Sequence, residues 1–348
     1  MKILVAATRR IGDVLLATPL IRSLKKAWPD AEIDVLVFEG TDGILEGNPD
    51  IHSVLTVPQR PKISFHLRFL SRLWKKYDLA LSAMPGDRPT LYALVSGKKS
   101  AGIVLEGRDH LWKKKLLSRW TAYDPGIHTV QVYLQLAKLL GIEPSFEVVT
   151  AWTRKDEEDA LEWIPSMPFA VFHVYPMYAY KMWKNESWIE LAKWTRNQGM
   201  RVVLTGGKNA EEKAFIDALL PFLPEDTVDA SGKLSLGSVA CLLSHARVYV
   251  GPDTAVTHMA AASGIPTLAL FGPSDPVKWG PWPKGHNENP YNVKGSQHAG
   301  NVYLLQGKGD CVPCLEEGCD RHVGSLSRCL QELPANEAID ALKMLLGK

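Results

Sequence analysis

The chain alternates short β-rich apolar runs with longer helix-patterned stretches, and it does so through both halves of its length. That rhythm constrains the fold more than any other feature, because strands separated by helices build parallel sheets covered on both faces. In the first half Lys2–Ala7, Ile33–Phe38, Ser53–Val57, Leu79–Met84 and Ala101–Val104 read as strands. A helix is predicted over Ile11–Trp28, with Val14, Leu15, Leu20, Ile21 and Leu24 on one face, and another over His128–Leu140. In the second half the strands are Phe169–Val174, Arg201–Thr205, Val248–Val250 and Thr267–Phe271. Helices are predicted between them at Ser187–Asn197, Ala210–Leu220, Leu236–Ser244 and Ala255–Ser263. The halves repeat an architecture, not a sequence. Residues 272–310, rich in Gly and Pro, read as loops over a cleft, and Glu337–Leu346 as a terminal helix. The expectation is α/β: doubly wound domains at 1–155 and 165–333 facing each other across a cleft, then the terminal helix in 334–348.

With 348 residues, 46% of them hydrophobic and 22% charged, the chain is globular in composition and long enough to bury a core in each half. No run of eighteen apolar residues occurs, which argues against a membrane span. The opening MKILVAATRR places its charge after a short apolar run, unlike a signal peptide, so a cytoplasmic location is expected. The net charge of +2 hides an asymmetry: residues 1–150 hold 21 basic against 15 acidic side chains, and residues 51–120 hold 14 against 4. Such a segment either steers an anionic partner (nucleic acid, anionic lipid or an acidic sugar) or is a solvated basic face.

Neither GxGxxG nor GxxxxGK[ST] occurs, which removes the usual support for a dinucleotide-binding dehydrogenase or a P-loop NTPase. HExxH and GxSxG are also absent. Three other features carry chemistry. Gly12-Asp13 follows the first strand: Gly12 permits close backbone approach, and Asp13 reads either as a helix cap or as a general base toward an entering hydroxyl. Gly251-Pro252-Asp253-Thr254 leads from a strand into a helix, whose free N–H groups make an anion site, with His258 one turn on from Thr254. The alternative there is an Asp/Thr cap beside a core histidine. Lys181, between Tyr180 and Trp183, reads as a phosphate or ribose ligand or as a snorkelling surface lysine.

Gly12-Asp13-Val14-Leu15-Leu16-Ala17-Thr18-Pro19, Lys181-x-Trp183, Asp253-Thr254-x-x-x-His258, Gly264-x-Pro266 and Phe271-Gly272-Pro273-Ser274-Asp275-Pro276 occur in order along the chain. In these motifs the sequence resembles the heptosyltransferases, the ninth glycosyltransferase family, which builds the lipopolysaccharide inner core. The tail, Cys311 through Cys329-Leu330, looks most like the branch that adds a side-branch heptose. The resemblance implies a GT-B fold and an inverting, metal-independent transfer from ADP-L-glycero-D-manno-heptose, with no cofactor. It makes Asp13 the catalytic base. Lys181, Glu211, Leu234, Asp253, Thr254, Ala255 and His258 become donor-binding residues, Glu211 for ribose with Glu212 one residue away in register, and Leu234 for adenine. It places the acceptor, a lipopolysaccharide core bearing carboxylates and phosphates, on the first domain. Gly12, Arg60, Lys62 and Arg119 are candidate contacts, alongside Arg68, Arg72, Lys113, Lys114 and Lys115. An amphiphilic acceptor implies peripheral contact with the inner face of the inner membrane. No nucleic-acid module is visible, and nucleic acid is not expected as a partner. Two departures stand out: Ala255 where many members carry Gly, and Val174-Tyr175-Pro176-Met177 where some carry a Ser/Thr pair.

Rival readings are a same-fold transferase using another nucleotide sugar, a GT-B nucleotide-sugar epimerase, and a non-catalytic binding module. Four of the five cysteines fall in Cys311-x2-Cys314-x4-Cys319-x9-Cys329, readable as a small zinc site or as free thiols. Cys241, beside Leu242 and Leu243 on a predicted helix, reads as core.

Overall fold

The computed structural model describes residues 1–107 and 110–347. The chain divides into two units, Met1–Ala151 and Trp152–Lys348. The first is built on β1 (Lys2–Ala6), β2 (Glu32–Phe38), β3 (Ser53–Val57), β4 (Tyr77–Ser82), β5 (Gly97–Val104) and β6 (Arg119–Ala122). They lie in the order β3-β2-β1-β4-β5-β6, every neighbouring pair parallel. The chain starts in the middle, steps outward to β3, then returns to the other side of β1 with β4. The sheet therefore reverses direction between β1 and β4, which opens a crevice at their carboxyl ends where such folds bind ligands. Central β1 is buried on both faces, Ile3, Leu4, Val5 and Ala6 alike, which is why it reads as a continuous apolar run.

The second unit repeats this order with β7 (Phe169–His173), β8 (Arg201–Thr205), β9 (Val228–Asp229), β10 (Val248–Pro252), β11 (Thr267–Phe271) and β13 (Val302–Gln306). Antiparallel β12 (Gln297–Ala299) is added beyond β13, giving β12-β13-β11-β10-β7-β8-β9. Its reversal lies between β7 and β10. Residues 272–310 are thus not all loop: Val302, Leu304 and Leu305 form a buried strand inside the Gly/Pro-rich stretch. The terminal helix Ala335–Leu345 packs on the helix Asn185–Asn197 and on β13, so it belongs to the second unit.

The helix predicted over Ile11–Trp28 is two helices, Ile11–Leu16 and Thr18–Ala27. Pro19, in the first turn of the second, has no N–H to continue the ladder, and the Thr18 hydroxyl donates to the Leu15 carbonyl at 2.7 Å. Helices at Ile63–Leu73, Asp87–Ser96 and Leu111–Leu116 also occur. No helix among the described residues is long and apolar enough to cross a membrane.

The acidic helix Arg154–Leu161 is clasped to the second unit through Asp156. This buried carboxylate accepts from the Thr153 N–H at 2.9 Å and hydroxyl at 2.7 Å, completing a capping box. It also accepts from the hydroxyl of Ser235, which caps the helix Leu236–His245. Burial works to raise the Asp156 pKa, but donation by Ser235, Thr153 and Ser238 outweighs it and holds the carboxyl below its ordinary value. Asp156→Ala is expected to lower stability by about 2–4 kcal/mol, since it removes a cap and strands two helices' polar groups. Urea denaturation checks this; a loss under about 0.5 kcal/mol would contradict it.

Candidate active site

In the second unit the chemistry gathers at the carboxyl ends of β7 and β10. β10 delivers Asp253 into a turn held from beneath, where the Thr257 hydroxyl donates to the Pro252 carbonyl and lies 2.9 Å from the Tyr249 hydroxyl. Lys181 arrives on a short turn, Ala179–Lys181, that follows β7. That turn is anchored by Trp183, a fully buried side chain whose indole donates to the Leu333 carbonyl at 2.7 Å and packs edge-on to Trp188. The Lys181-x-Trp183 spacing thus has a mechanical meaning: the tryptophan fixes the turn, and the lysine projects from it.

The Lys181 Nζ lies 2.5 Å from Asp253 Oδ2 and 3.2 Å from the Asp253 carbonyl. Ser274, in the turn after β11, donates to Oδ2 at 2.8 Å, and His258 Nε2 stands 4.0 Å from Oδ1. Burial works to raise the pKa of Asp253, but Lys181, His258 and Ser274 hold it below its ordinary value, so it is an anion. His258 goes the other way. Burial pushes its pKa down to about 4 despite the Asp253 charge, so the imidazole is neutral near pH 7. Its buried Nδ1 has no hydrogen-bond partner among the described residues. Thr254 starts the helix Ala255–Ser263 without a side-chain cap bond, leaving its first-turn N–H groups for another acceptor. Thr254 and Ala255 are half-buried. An ammonium, a neutral imidazole, two hydroxyls and a helix N-terminus converge here, a donor set that matches a phosphate-type anion.

A second group lies at the ends of β8 and β9. Glu211 is exposed on the first turn of the helix Ala210–Leu219, whereas Glu212 is buried. The Glu212 carboxylate lies against Gly206 and Gly207, where an added Cβ would sit only 2.7 Å and 2.9 Å from its oxygens. Burial raises the Glu212 pKa, opposed by the Gly207 N–H. Of the two candidate carboxylates, Glu212 is thus the one held against the β8 turn, and Glu211 faces solvent. Tyr175 packs at a tilt against Phe215, ring centroids 5.3 Å apart, and its phenol is raised first by burial, then by Glu211 and Glu212. Half-buried Leu234 follows Gly232, whose N–H bonds to the Gly206 carbonyl at 2.9 Å.

In the first unit, half-buried Gly12 and Asp13 occupy the first turn of Ile11–Leu16, directly beyond β1. Tyr133, buried on the helix Thr129–Leu140 that packs here, has its phenol held well above its ordinary pKa by burial and then by the Asp13 charge; Arg9 opposes. Arg60 and Lys62 lie exposed beyond the carboxyl end of β3, lining a groove of about 320 Å³ with Pro58, Phe65 and Arg68. Arg119 is not brought to this end of the sheet. It opens β6 at the amino end, and its guanidinium donates to the Leu139 carbonyl at 3.2 Å. Lys113 is not a surface contact either: it is buried, with its Nζ 2.6 Å from Asp87. Ser274, Thr257, Tyr249 and Tyr133 were not singled out by the sequence for roles at these sites.

The glycosyltransferase family 9 (heptosyltransferase) model matches residues 67–301. A lipopolysaccharide heptosyltransferase 3 of Escherichia coli is 29% identical, with 78% of this chain and 83% of that protein covered. The glycosyl transferase family 9 structure from Veillonella parvula superposes with a TM-score of 0.80 at 19% identity, covering 99% of this chain and 97% of that one. E. coli heptosyltransferase WaaC with ADP-2-deoxy-2-fluoro heptose gives 0.70 at 21% identity, covering 99% of both chains. The fold class is GT-B, as the resemblance implied. A family match across two thirds of the length, over two Rossmann-like units with a phosphate-type cradle, makes the assignment: the chain belongs to glycosyltransferase family 9, the heptosyltransferases, and is a glycosyltransferase.

Proposed function

We propose that this chain transfers a heptose from ADP-L-glycero-D-manno-heptose to the lipopolysaccharide inner core, with inversion, and that Asp13 is the general base. The observation that carries the reading is the convergence of Lys181, Ser274, His258 and the Thr254 helix start around Asp253 at the sheet reversal. The ADP-2-deoxy-2-fluoro heptose found with WaaC supports the donor class, and the lipopolysaccharide heptosyltransferase of E. coli supports the acceptor.

Glycosyl transfer builds positive charge at the anomeric carbon and negative charge on the departing diphosphate. Lys181, Thr254, the first-turn N–H groups at Ala255 and neutral His258 stabilise that leaving group, and Asp253 faces the sugar. Glu212 accepts from ribose hydroxyls at the end of the unit's second strand, the place Rossmann units reserve for such a carboxylate. Leu234 offers its apolar side chain to adenine. Asp13 takes the acceptor hydroxyl's proton as the oxygen bonds to the anomeric carbon and the bond to diphosphate breaks, releasing ADP.

Gly12, Arg60 and Lys62 receive an anionic acceptor. On the adjoining helix Ile63–Leu73 and its end, Ile63, Leu67 and Trp74 are 80%, 65% and 68% exposed among Lys62, Arg68 and Arg72. That mixture fits peripheral contact with an anionic inner leaflet from the cytoplasmic side.

The test is ADP release from ADP-heptose, with and without heptose-deficient lipopolysaccharide core. Release that depends on the core is expected. Tight ADP binding without release on any core acceptor would overturn the reading, and conversion of donor alone would make the chain an epimerase.

A further inference from the structure

Tyr249, inside β10, carries a hydroxyl that packing does not need. Its neighbours Val248 and Val250 point to the opposite face of the sheet, into an apolar core with Leu268 and Leu270. Tyr249 points toward the helix Ala255–Ser263 and is fully buried. Gly251, two residues on and on the same face, makes room for it: a Cβ there would run into the phenol oxygen. Phenylalanine would fill this space without burying a polar atom, so the oxygen is there for its bonds. They form a cluster of three hydroxyls behind Asp253. The Tyr249 hydroxyl lies 2.9 Å from Thr257 Oγ1, and Thr254 Oγ1 lies 3.2 Å from the same atom. Thr257 gives its own proton to the Pro252 carbonyl, so toward the other two hydroxyls its oxygen serves as an acceptor. Burial raises the Tyr249 pKa far above its ordinary value, against the opposing pull of Thr257 and Thr254, so the phenol keeps its proton and donates it. Tyr249 is the nearer of the two donors. The Thr254 contact is long for an O–H···O bond and falls on an oxygen that already accepts. Thr254 is also the half-buried member of the cluster, and its side chain makes no cap bond to its helix.

We propose that Tyr249 is a positioning residue for the nucleotide: its hydroxyl satisfies the Thr257 oxygen from within, which leaves the Thr254 proton to turn outward onto the donor diphosphate. This rests on Thr254 being a diphosphate ligand, as proposed above. Without the phenol oxygen, Thr257 becomes an unshared buried acceptor 3.2 Å from Thr254, and the Thr254 hydroxyl turns inward to it. The helix start then keeps its N–H groups but loses a hydroxyl donor aimed at the anion. Tyr249 does not touch the nucleotide. It sets which way a hydroxyl that does so is facing.

The experiment measures the affinity of the full chain for ADP and for adenosine, which has no phosphate, in wild type, Tyr249→Phe, Thr254→Val and the double variant. Thr254→Val should weaken ADP binding about 20-fold and Tyr249→Phe about 5-fold, each leaving adenosine within about twofold of wild type. The double variant should bind ADP no more weakly than Thr254→Val alone, since Tyr249 acts through the hydroxyl already removed. Tyr249→Phe keeps the ring and its packing, and the adenosine arm reports whether the nucleotide site has kept its shape. Losses that multiply in the double variant, an unchanged ADP affinity in Tyr249→Phe, or an adenosine affinity that falls along with that for ADP would overturn the proposal. An unchanged ADP affinity in Thr254→Val would strike the diphosphate reading of the site itself, and the proposal with it.

Discussion

Replacing Asp13 by Asn is expected to lower kcat for core-dependent ADP release about 10³-fold while leaving the affinity for ADP within about twofold of wild type. Asparagine keeps the shape and removes the basic oxygen, so the proton of the attacking hydroxyl has nowhere to go. That rate loss corresponds to about 4 kcal/mol of transition-state stabilisation. Donor affinity is spared because the proposed donor ligands, Lys181, Glu212, Thr254 and His258, all belong to the second unit, whereas Asp13 follows β1 of the first. Folding is spared too. Asp13 sits in the first turn of a short helix, where losing a carboxylate costs about 0.5 kcal/mol through the helix dipole. A fall in kcat below tenfold would remove Asp13 from the role of base. Equal losses in kcat and ADP affinity would make it a residue that shapes the fold.

Acid is expected to destabilise the second unit as soon as pH falls below 6.5, because its buried histidines resist protonation. His173 and His258 are both buried, and burial pushes each pKa down to about 4 from 6.5. Between those values the unfolded chain takes up protons that the folded chain refuses. The stability held by the neutral imidazoles is complete above pH 6.5 and is lost as pH falls toward 4. Each contributes about 3 kcal/mol, so the pair costs on the order of 6 kcal/mol across this window. Glu212, raised by burial, offsets a part of this at the acid end. Chemical denaturation in steps from pH 7 to 4.5 reads the slope. His173→Asn, which preserves a partner for Thr205 (3.2 Å from His173 Nδ1), should flatten it by about half. A stability that stays level over this range would contradict buried neutral histidines.

The sheet centres were legible because a doubly covered strand must be apolar along its whole length. Arg201–Thr205 and Thr267–Phe271, each flanked by strands on both sides, match their predicted bounds, and so does Ser53–Val57, an edge strand that still carries an apolar Val54-Leu55 pair. Two other edge strands hid themselves: β6 is partly exposed Arg119-Trp120-Thr121-Ala122, and β9 is two residues long, so neither shows a pattern. The break at Ala17 was concealed because the apolar face runs through it, and Pro19 was the only warning. Within the candidate site, residues in one strand-to-helix turn could be gathered from the sequence, as Asp253, Thr254 and His258 were. Ser274 could not, since it reaches Asp253 across 21 residues and an intervening strand. The choice between Glu211 and Glu212 was open to helical phase. Glu212, Ile216 and Leu219 share the buried face of one helix, and Glu211 lies about 100° away from it.

The contact between Lys181 and Asp253 bears on how the proposed cycle ends. An ammonium already satisfied by an internal carboxylate is a reluctant host: an arriving diphosphate must share or displace that partner, which a single phosphate with fewer contacts does less well. Once the sugar has gone, the same carboxylate stands ready to reclaim the ammonium from the spent nucleotide. Affinity is surrendered in the bound ground state, and ejection of product is hastened in return.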